Sequence, residues 1–409
     1  MTNPSSKLAR SLALFALALG SFCIGTSEFA SMGIIQLVSA SLGIDVPQAS
    51  NAVTAYALGV VIGAPAVTLA AARLNRRTLL LALMALFVVG NVLSAVATDL
   101  NLLMAARFLS GLPQGAYFGA GAMVASYILG PGQEGRAFAI VMTGLTVATI
   151  IGSPLATFLG QNLGWRETYL AVAVLSGLAL LAIRQWLPRT EALNGAPITQ
   201  ELSALRSGQV WGVMAVATTG IASLFAIYTF VGPIVTDAAK LAPAMIPVAL
   251  ALFGIGMTVG NSVGGSLADR YPMRGIVLGF GIALGVLLII ATGGQEPWIL
   301  FPALFVLGAG LMAAIPTMQV RLTRFAPQAP SLVGAMTLAA CNLGNAIGAW
   351  GGGYTIDAGY GLLSVAWAGF ALTLAGLAIF ALTLINTRQS TRAVNLLQRP
   401  ASRGSFSIH

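Results

Sequence analysis

The amino-acid sequence predicts an all-α membrane protein of twelve transmembrane helices in two pseudo-symmetric six-helix halves. Three observations predict it: an apolar composition, twelve apolar runs of membrane-crossing length, and a repeat relating the halves. Of 409 residues, 57% are hydrophobic and 8% charged, where a soluble domain carries about 25% charged residues. The net charge is +9, but nucleic-acid-binding domains gather their basic residues into dense patches on a polar surface. Most of this chain has no charge at all, so no nucleic-acid partner is expected. Cys23 and Cys341 lie in apolar stretches more than 300 residues apart, and the single histidine is the terminal His409. That pattern excludes a disulfide framework, a metal site and histidine-based catalysis.

A helix needs about 20 mostly apolar residues to cross the hydrocarbon layer. The runs are 11–36, 49–71, 78–98, 101–128, 136–160, 167–187, 209–233, 243–267, 275–293, 297–320, 331–353 and 361–385. The first is too long for the apolar core of a secretory signal and has no convincing cleavage site. Abundant Gly and Ala without period-two alternation exclude an outer-membrane barrel, whose strands run to about 10 residues. Basic residues accumulate on cytoplasmic loops. With the N-terminus inside, the inner segments hold 17 of the 20 basic residues, and the outer loops hold Arg166 and Lys240 with six of the 11 acids. Both termini are therefore expected in the cytoplasm. Glu28 and Arg107 are the two charges left within spans.

Sliding the chain against itself by 197 residues aligns Gly59 with Gly256, Gly63 with Gly260, Arg73 with Arg270, Arg77 with Arg274, Phe108 with Phe305 and Gly111 with Gly308. One offset thus maps span 2 onto 8 and span 4 onto 10. The organisation is an N-terminal half at 1–187, a polar cytoplasmic linker at 188–208, a C-terminal half at 209–386 and a basic tail at 387–409. Parallel halves related by an axis along the membrane normal are one way secondary transporters are built.

Gly265, Ser266, Leu267, Ala268, Asp269, Arg270 and Arg274 resemble the loop signature of the major facilitator superfamily, in its second-half copy. Arg107, Gly111 and Gly115 resemble its helix 4 signature, and Gly144, Gly152 and Pro154 a reduced helix 5 antiporter signature. Ile24 to Phe29, followed by Gly33, is similar to the helix 1 pattern of the drug:proton antiporter branch, which includes AraJ-like, sugar-, purine- and chloramphenicol-efflux proteins. The resemblance covers residues 8–386. It implies the major facilitator fold and, as function, a proton-coupled efflux antiporter exporting a drug, sugar or metabolite by alternating access. An importer or facilitator on the same fold is the alternative. The chain departs from the pattern in the first-half loop, where Thr68, Ala72 and Asn75 replace Gly, Asp and Gly, and in helix 5, where Ser153, Thr157 and Phe158 replace glycines.

A carboxyl deep in an apolar helix costs about 2.5 to 3.5 kcal/mol even on the lenient insertion scale. Glu28 is therefore read as a proton-binding site, with a carboxyl tied up for packing as the alternative. Arg107 enters span 4 to a comparable depth; it either takes part in proton coupling or snorkels to the interface. Arg73, Arg77, Asp269, Arg270 and Arg274 form the gating-loop set. Asn342 and Asn345 share one face of span 11, as interhelical glue or as a substrate-facing amide pair. With Tyr56, Gln114, Tyr117, Thr143, Thr146 and Tyr228 they are the candidate cavity lining. No ATP-binding loop exists, so no cofactor is expected and export must draw on an ion gradient, which the resemblance implies is a proton gradient. A membrane enzyme would need a nucleophile with a base, or metal ligands, inside the bilayer; Glu28 and Arg107 supply neither. The expected partners are a small-molecule substrate, protons and the lipid bilayer, with the chain a monomer. Arg outnumbers Lys by 18 to two, which with the abundant Ala points to a GC-rich bacterium and to its inner membrane.

Overall fold

The computed structural model describes residues 7–194, 207–271, 273–325 and 330–397. The N-terminal half contains α1 (Lys7–Gly33), α2 (Ile35–Leu42), α3 (Val46–Ala70), α4 (Arg76–Ala95), α5 (Leu100–Gly111), α6 (Gln114–Leu129), α7 (Glu134–Val147), α8 (Ser153–Leu163) and α9 (Trp165–Trp186). The C-terminal half contains α10 (Gly208–Tyr228), α11 (Val231–Pro233), α12 (Ile246–Arg270), α13 (Arg274–Gly293), α14 (Pro297–Phe325), α15 (Pro330–Thr355) and α16 (Ser364–Leu397). Pairing α1 with α2, α5 with α6, α7 with α8 and α10 with α11 gives six spans per half. Ten of the helical spans are long and apolar enough to cross a membrane. The other two are the fourth, broken between α5 and α6, and the eleventh, α15.

The breaks have local causes. Proline has no N–H to give the helical ladder; Pro113 separates α5 from α6, and Pro154 follows the π-helical turn Ala148–Gly152 between α7 and α8. Gly164, at φ 125°, makes the turn from α8 to α9 that an L side chain would resist. Two acids assigned to loops prove to be helix caps. Asp45 forms a capping box with Gln48 at the start of α3, and Asp99 accepts from the Leu102 N–H at 3.0 Å at the start of α5. That backbone bond holds the Asp99 carboxyl below the usual range.

Each half has its own apolar core, and Phe29, Met32 and Val53 of the first half insert into the core of the second. The offset of 197 has a steric meaning here. A Cβ at Gly59 would meet the Phe108 carbonyl, and one at Gly63 the Leu112 carbonyl. The equivalents on α12 meet the equivalents on α14: Gly256 meets Phe305 and Gly260 meets Ala309. Gly111 lies on the Tyr56 carbonyl as Gly308 lies on that of Phe253. The repeated glycines therefore mark one backbone-to-backbone helix crossing, used twice.

Large apolar side chains such as Val89, Leu170, Val174, Leu178, Val277 and Ile289 are exposed along the spans, while Trp298, Trp350, Tyr354 and Trp367 are exposed near helix ends. An apolar belt edged by aromatics is the surface a bilayer requires. One end of the bundle carries Asp45, Asp99, Asp237 and Asp357, the acidic end; the other carries Arg73, Arg76, Arg77, Arg184, Arg270 and Arg274, the basic end. Helix α16 continues to Leu397, beyond Thr387 where the basic tail was placed. Residues 398–409, with Arg399 and Arg403, and 195–206 of the linker lie outside the described residues.

Candidate functional site

Glu28 lies on α1 at mid-depth and is 5% exposed. Its carboxylate is held from both halves. Oε2 accepts from Gln114 Nε2 on α6 at 2.9 Å, and Oε1 accepts from Asn345 Nδ2 on α15 at 3.3 Å. The Gln114 amide is itself oriented, because its Oε1 accepts from the Tyr56 hydroxyl on α3 at 2.7 Å. Tyr56, Gln114, Glu28 and Asn345 thus form one buried chain across the interface between the halves.

Arg107 on α5 is fully buried and does not snorkel to an interface. Its guanidinium forks around Ser27: Nη1 donates to Ser27 Oγ at 2.8 Å and Nη2 to the Ser27 carbonyl at 3.1 Å. Its Cζ stands 4.3 Å above the Tyr56 ring and 5.1 Å from the Tyr169 ring, so cation–π attraction replaces hydration on its faces. Ser27 Oγ donates in turn to Asn91 Oδ1 at 2.6 Å, and Ser31 Oγ pairs with Tyr169 Oη at 3.0 Å. The arginine and the acid are therefore joined through Tyr56 and Gln114. The ring of Tyr56 faces the cation and its hydroxyl faces the amide that holds the acid. Ser27, Asn91 and Tyr169 escaped sequence reasoning, although Ser27 stands beside Glu28 in the helix 1 motif.

Next to Glu28, Phe29 stacks on Phe225 with centroids 6.3 Å apart, and Tyr228 stands edge-on to Phe29, Phe225 and Phe253. This aromatic wall joins α1 to α10 and α12. The repeat offset would have pointed to it: the positions of Glu28, Tyr56, Arg107 and Gln114 correspond to Phe225, Phe253, Leu304 and Leu311. The polar group of the first half thus has an apolar counterpart at the equivalent positions of the second. Buried atoms without a hydrogen-bond partner around this centre include Thr26 Oγ1, Asn342 Oδ1 and Asn345 Oδ1. Buried polar atoms left in that state are costly and suit a site that takes a polar ligand.

The remaining candidates stand apart from this chain. Asn342 donates to the Leu338 carbonyl one turn away on its own helix. Tyr117 donates to the Leu17 carbonyl within the first-half core. Thr143 and Thr146 bond back to Ala139 and Met142 on their own helix, and Thr143 is exposed. Gly144 and Gly152 seat α1: a Cβ at Gly144 would meet the Ala18 carbonyl, and one at Gly152 the Thr26 hydroxyl. Pro154 begins α8 after the π turn.

At the basic end Asn75, where the loop signature has glycine, caps α4 by accepting from the Arg77 N–H at 3.1 Å. Its Nδ2 donates to the Thr190 carbonyl and to Asn194 Oδ1, both at 2.9 Å. Arg77 Nη2 donates to the Arg184 carbonyl at the C-terminal end of α9. Arg73 and Arg270 are exposed, and Arg274 lies 4.4 Å from the Tyr271 ring. Asp269 is in the last turn of α12, and its side chain lies outside the described residues. At the acidic end Gln36 donates to Thr236 Oγ1 at 2.9 Å and to Asp237 Oδ2 at 3.3 Å, and Gln161 donates to the Pro243 carbonyl at 2.8 Å. These bonds cross between the halves, as does the one from Asn345 to Glu28.

Comparison with known proteins agrees with this architecture. The chain is 36% identical over 382 residues to the inner membrane transport protein YdhP of Escherichia coli (strain K12), covering 93% of this chain and 97% of that one. It is 33% identical to the putative transporter AraJ of the same organism, over 95% of this chain and 98% of the relative. It is also 33% identical to a chloramphenicol resistance protein of Streptomyces lividans, over 87% and 92%. The fold matches a bacterial homolog of the human lysosomal transporter Spinster in an inward-facing, occupied conformation, with a TM-score of 0.73 at 16% identity over 94% of this chain and 98% of that one. The family model of the Major Facilitator Superfamily matches residues 17–349. A multi-pass bundle of two like halves meeting at one buried acid, with these relatives, belongs to the Major Facilitator Superfamily of membrane transporters.

Proposed function

We propose that this chain is a proton-coupled efflux antiporter that exports a small molecule from the bacterial cytoplasm by alternating access. The observation that carries the reading is Glu28, a buried carboxylate held by Gln114 from one half and Asn345 from the other. An intramembrane acid between two moving bodies is suited to bind a proton in one arrangement and release it in the other. Arg107 supplies a fixed positive charge two side chains away. With the basic end in the cytoplasm, the bonds from Gln36 and Gln161 close the outward side. Substrate then binds from the cytoplasm, the halves rock, and a proton arriving from outside at Glu28 favours release. The basic loops around Arg77 and Arg274 stiffen the cytoplasmic ends during rocking. The aromatic wall and the unpartnered amide and hydroxyl groups favour a ring-bearing substrate with hydroxyl or amine donors. Relatives named for chloramphenicol resistance and for probable sugar efflux support export of such molecules.

The test is export of labelled chloramphenicol and of a neutral sugar analogue from efflux-deficient bacteria, with and without a collapsed proton gradient. Glu28→Gln is expected to abolish gradient-driven export of whichever probe the wild type moves. Undiminished export that still follows the gradient removes Glu28 from the mechanism.

A further inference from the structure

We propose that Asn345 is the positioning residue through which the C-terminal half senses the proton on Glu28. The inference rests on the reading of Glu28 as the proton site. The two oxygens of Glu28 are not equivalent. Oε2 faces Gln114, whose amide is oriented by the Tyr56 hydroxyl so that Nε2 points at the acid. That oxygen accepts an N–H whether the acid is ionised or neutral. A proton taken up by Glu28 therefore belongs on Oε1, which faces Asn345 Nδ2 at 3.3 Å. An O–H and an N–H pointed at one another form no bond. Asn345 carries the remedy, because its Oδ1 is buried without a partner and the residue is 1% exposed. Turning the amide brings Oδ1 onto the new O–H. Protonation thus reverses the direction of a hydrogen bond that joins the halves at mid-depth.

The turn is felt beyond the side chain. Asn345 stands between Gly344 and Gly348, where a Cβ would meet the Thr218 and Ala222 carbonyls of α10. Helix α15 is therefore seated backbone to backbone on α10, and a strain at Asn345 falls on the helix pair. The titratable groups around Glu28 are Arg107 on α5, Tyr56 on α3, Tyr228 on α10 and Cys341 on α15, while Tyr117 on α6 bonds to Leu17 and Tyr169 on α9 lies beside Arg107. The charged residues Arg76 and Arg77 of α4, Glu134 and Arg136 of α7, and Asp269 and Arg270 of α12 lie near helix ends, and α8 has none. Phenols, thiols and guanidinium ordinarily titrate well above neutrality, which leaves Glu28 as the group whose charge changes here.

The test needs no substrate. Spin labels are placed at the exposed positions Ala40→Cys and Ala242→Cys, one on each half at the acidic end, in a Cys23→Ala, Cys341→Ala background in lipid nanodiscs. Pulsed-EPR distances are read between about pH 5 and 9, and difference infrared spectroscopy follows the Glu28 carboxyl band in the same samples. In the background protein the open-to-closed ratio is expected to change about fivefold or more with pH, the lower end of usual site-to-site coupling. In Asn345→Leu the carboxyl band still titrates, but the distances no longer follow it. In Asn345→Asp two carboxyls share one proton and the distance transition moves to higher pH by about one unit or more. Distances in Asn345→Leu that track the band as in the background protein overturn the role of Asn345 and leave Glu28 as the proton site. A carboxyl band that does not titrate in the background protein overturns the proton-site reading and the present inference together.

Discussion

Arg107 shows how protein groups receive a charge in the bilayer interior. Its fork takes both the hydroxyl and the carbonyl of Ser27, and two phenol rings cover its faces. A lysine keeps the charge but has neither the planar fork nor the stacking surface. Arg107→Lys is expected to lower gradient-driven export about tenfold, the loss of one charge-assisted bond of about 1.5 kcal/mol, as read in the same export assay. Tyr56 serves both charged residues at once. Removing only its hydroxyl in Tyr56→Phe strands the Gln114 amide oxygen and is expected to cost about 1 to 3 kcal/mol, measured by thermal unfolding in detergent. Tyr56→Ala also removes the ring under Arg107 and is expected to cost more. Glu28 and Arg107 were legible in the sequence because a charge inside an apolar run is visible by contrast. Ser27, Asn91 and Tyr169 were not, since small polar residues and tyrosines are common in such helices and only a partner gives them a role. Thr143 and Tyr117 illustrate the converse: their hydroxyls are occupied by a carbonyl of their own helix or of a neighbour in the same half.

At the scale of elements, the glycine repeat is a packing device. Gly111 and Gly308 occupy the same place in two equivalent crossings, each against a backbone carbonyl of the facing helix. Gly111→Val or Gly308→Val forces the helices apart and is expected to destabilise the fold by about 1 to 3 kcal/mol or more, with loss of a monodisperse peak in size-exclusion chromatography. The repeat was legible because the crossing requires the absence of a side chain, and absence is written directly in the sequence. Asn75 was legible only as a departure from a loop signature. The structure makes it a helix cap and the tie to Thr190 and Asn194. Asn75→Ala is expected to cost about 0.5 to 2 kcal/mol of local stability, seen as faster limited tryptic cleavage at Arg189.

At the scale of the whole molecule, the halves are joined at the acidic end and at mid-depth by few hydrogen bonds, so small changes there shift which face is open. Removing the Gln36 bonds in a Gln36→Ala, Thr236→Val protein is expected to raise alkylation of a Met32→Cys reporter by a membrane-impermeant maleimide about tenfold. That follows from losing two bonds of about 0.5 to 1.5 kcal/mol each. An unchanged labelling rate assigns closure to apolar packing instead. The sequence by itself determined the twelve spans, the two halves, the likeness to its family and the two intramembrane charges. Each of these follows from how residues partition between water and hydrocarbon, or from a motif carried along the chain. Only the tertiary structure decided that Glu28 is shared between the halves, that Arg107 reaches it through Tyr56 and Gln114, and that an aromatic wall stands opposite. Those contacts join residues up to 317 positions apart, and which side chains meet across a helix interface is set by the rotation and depth at which the helices pack.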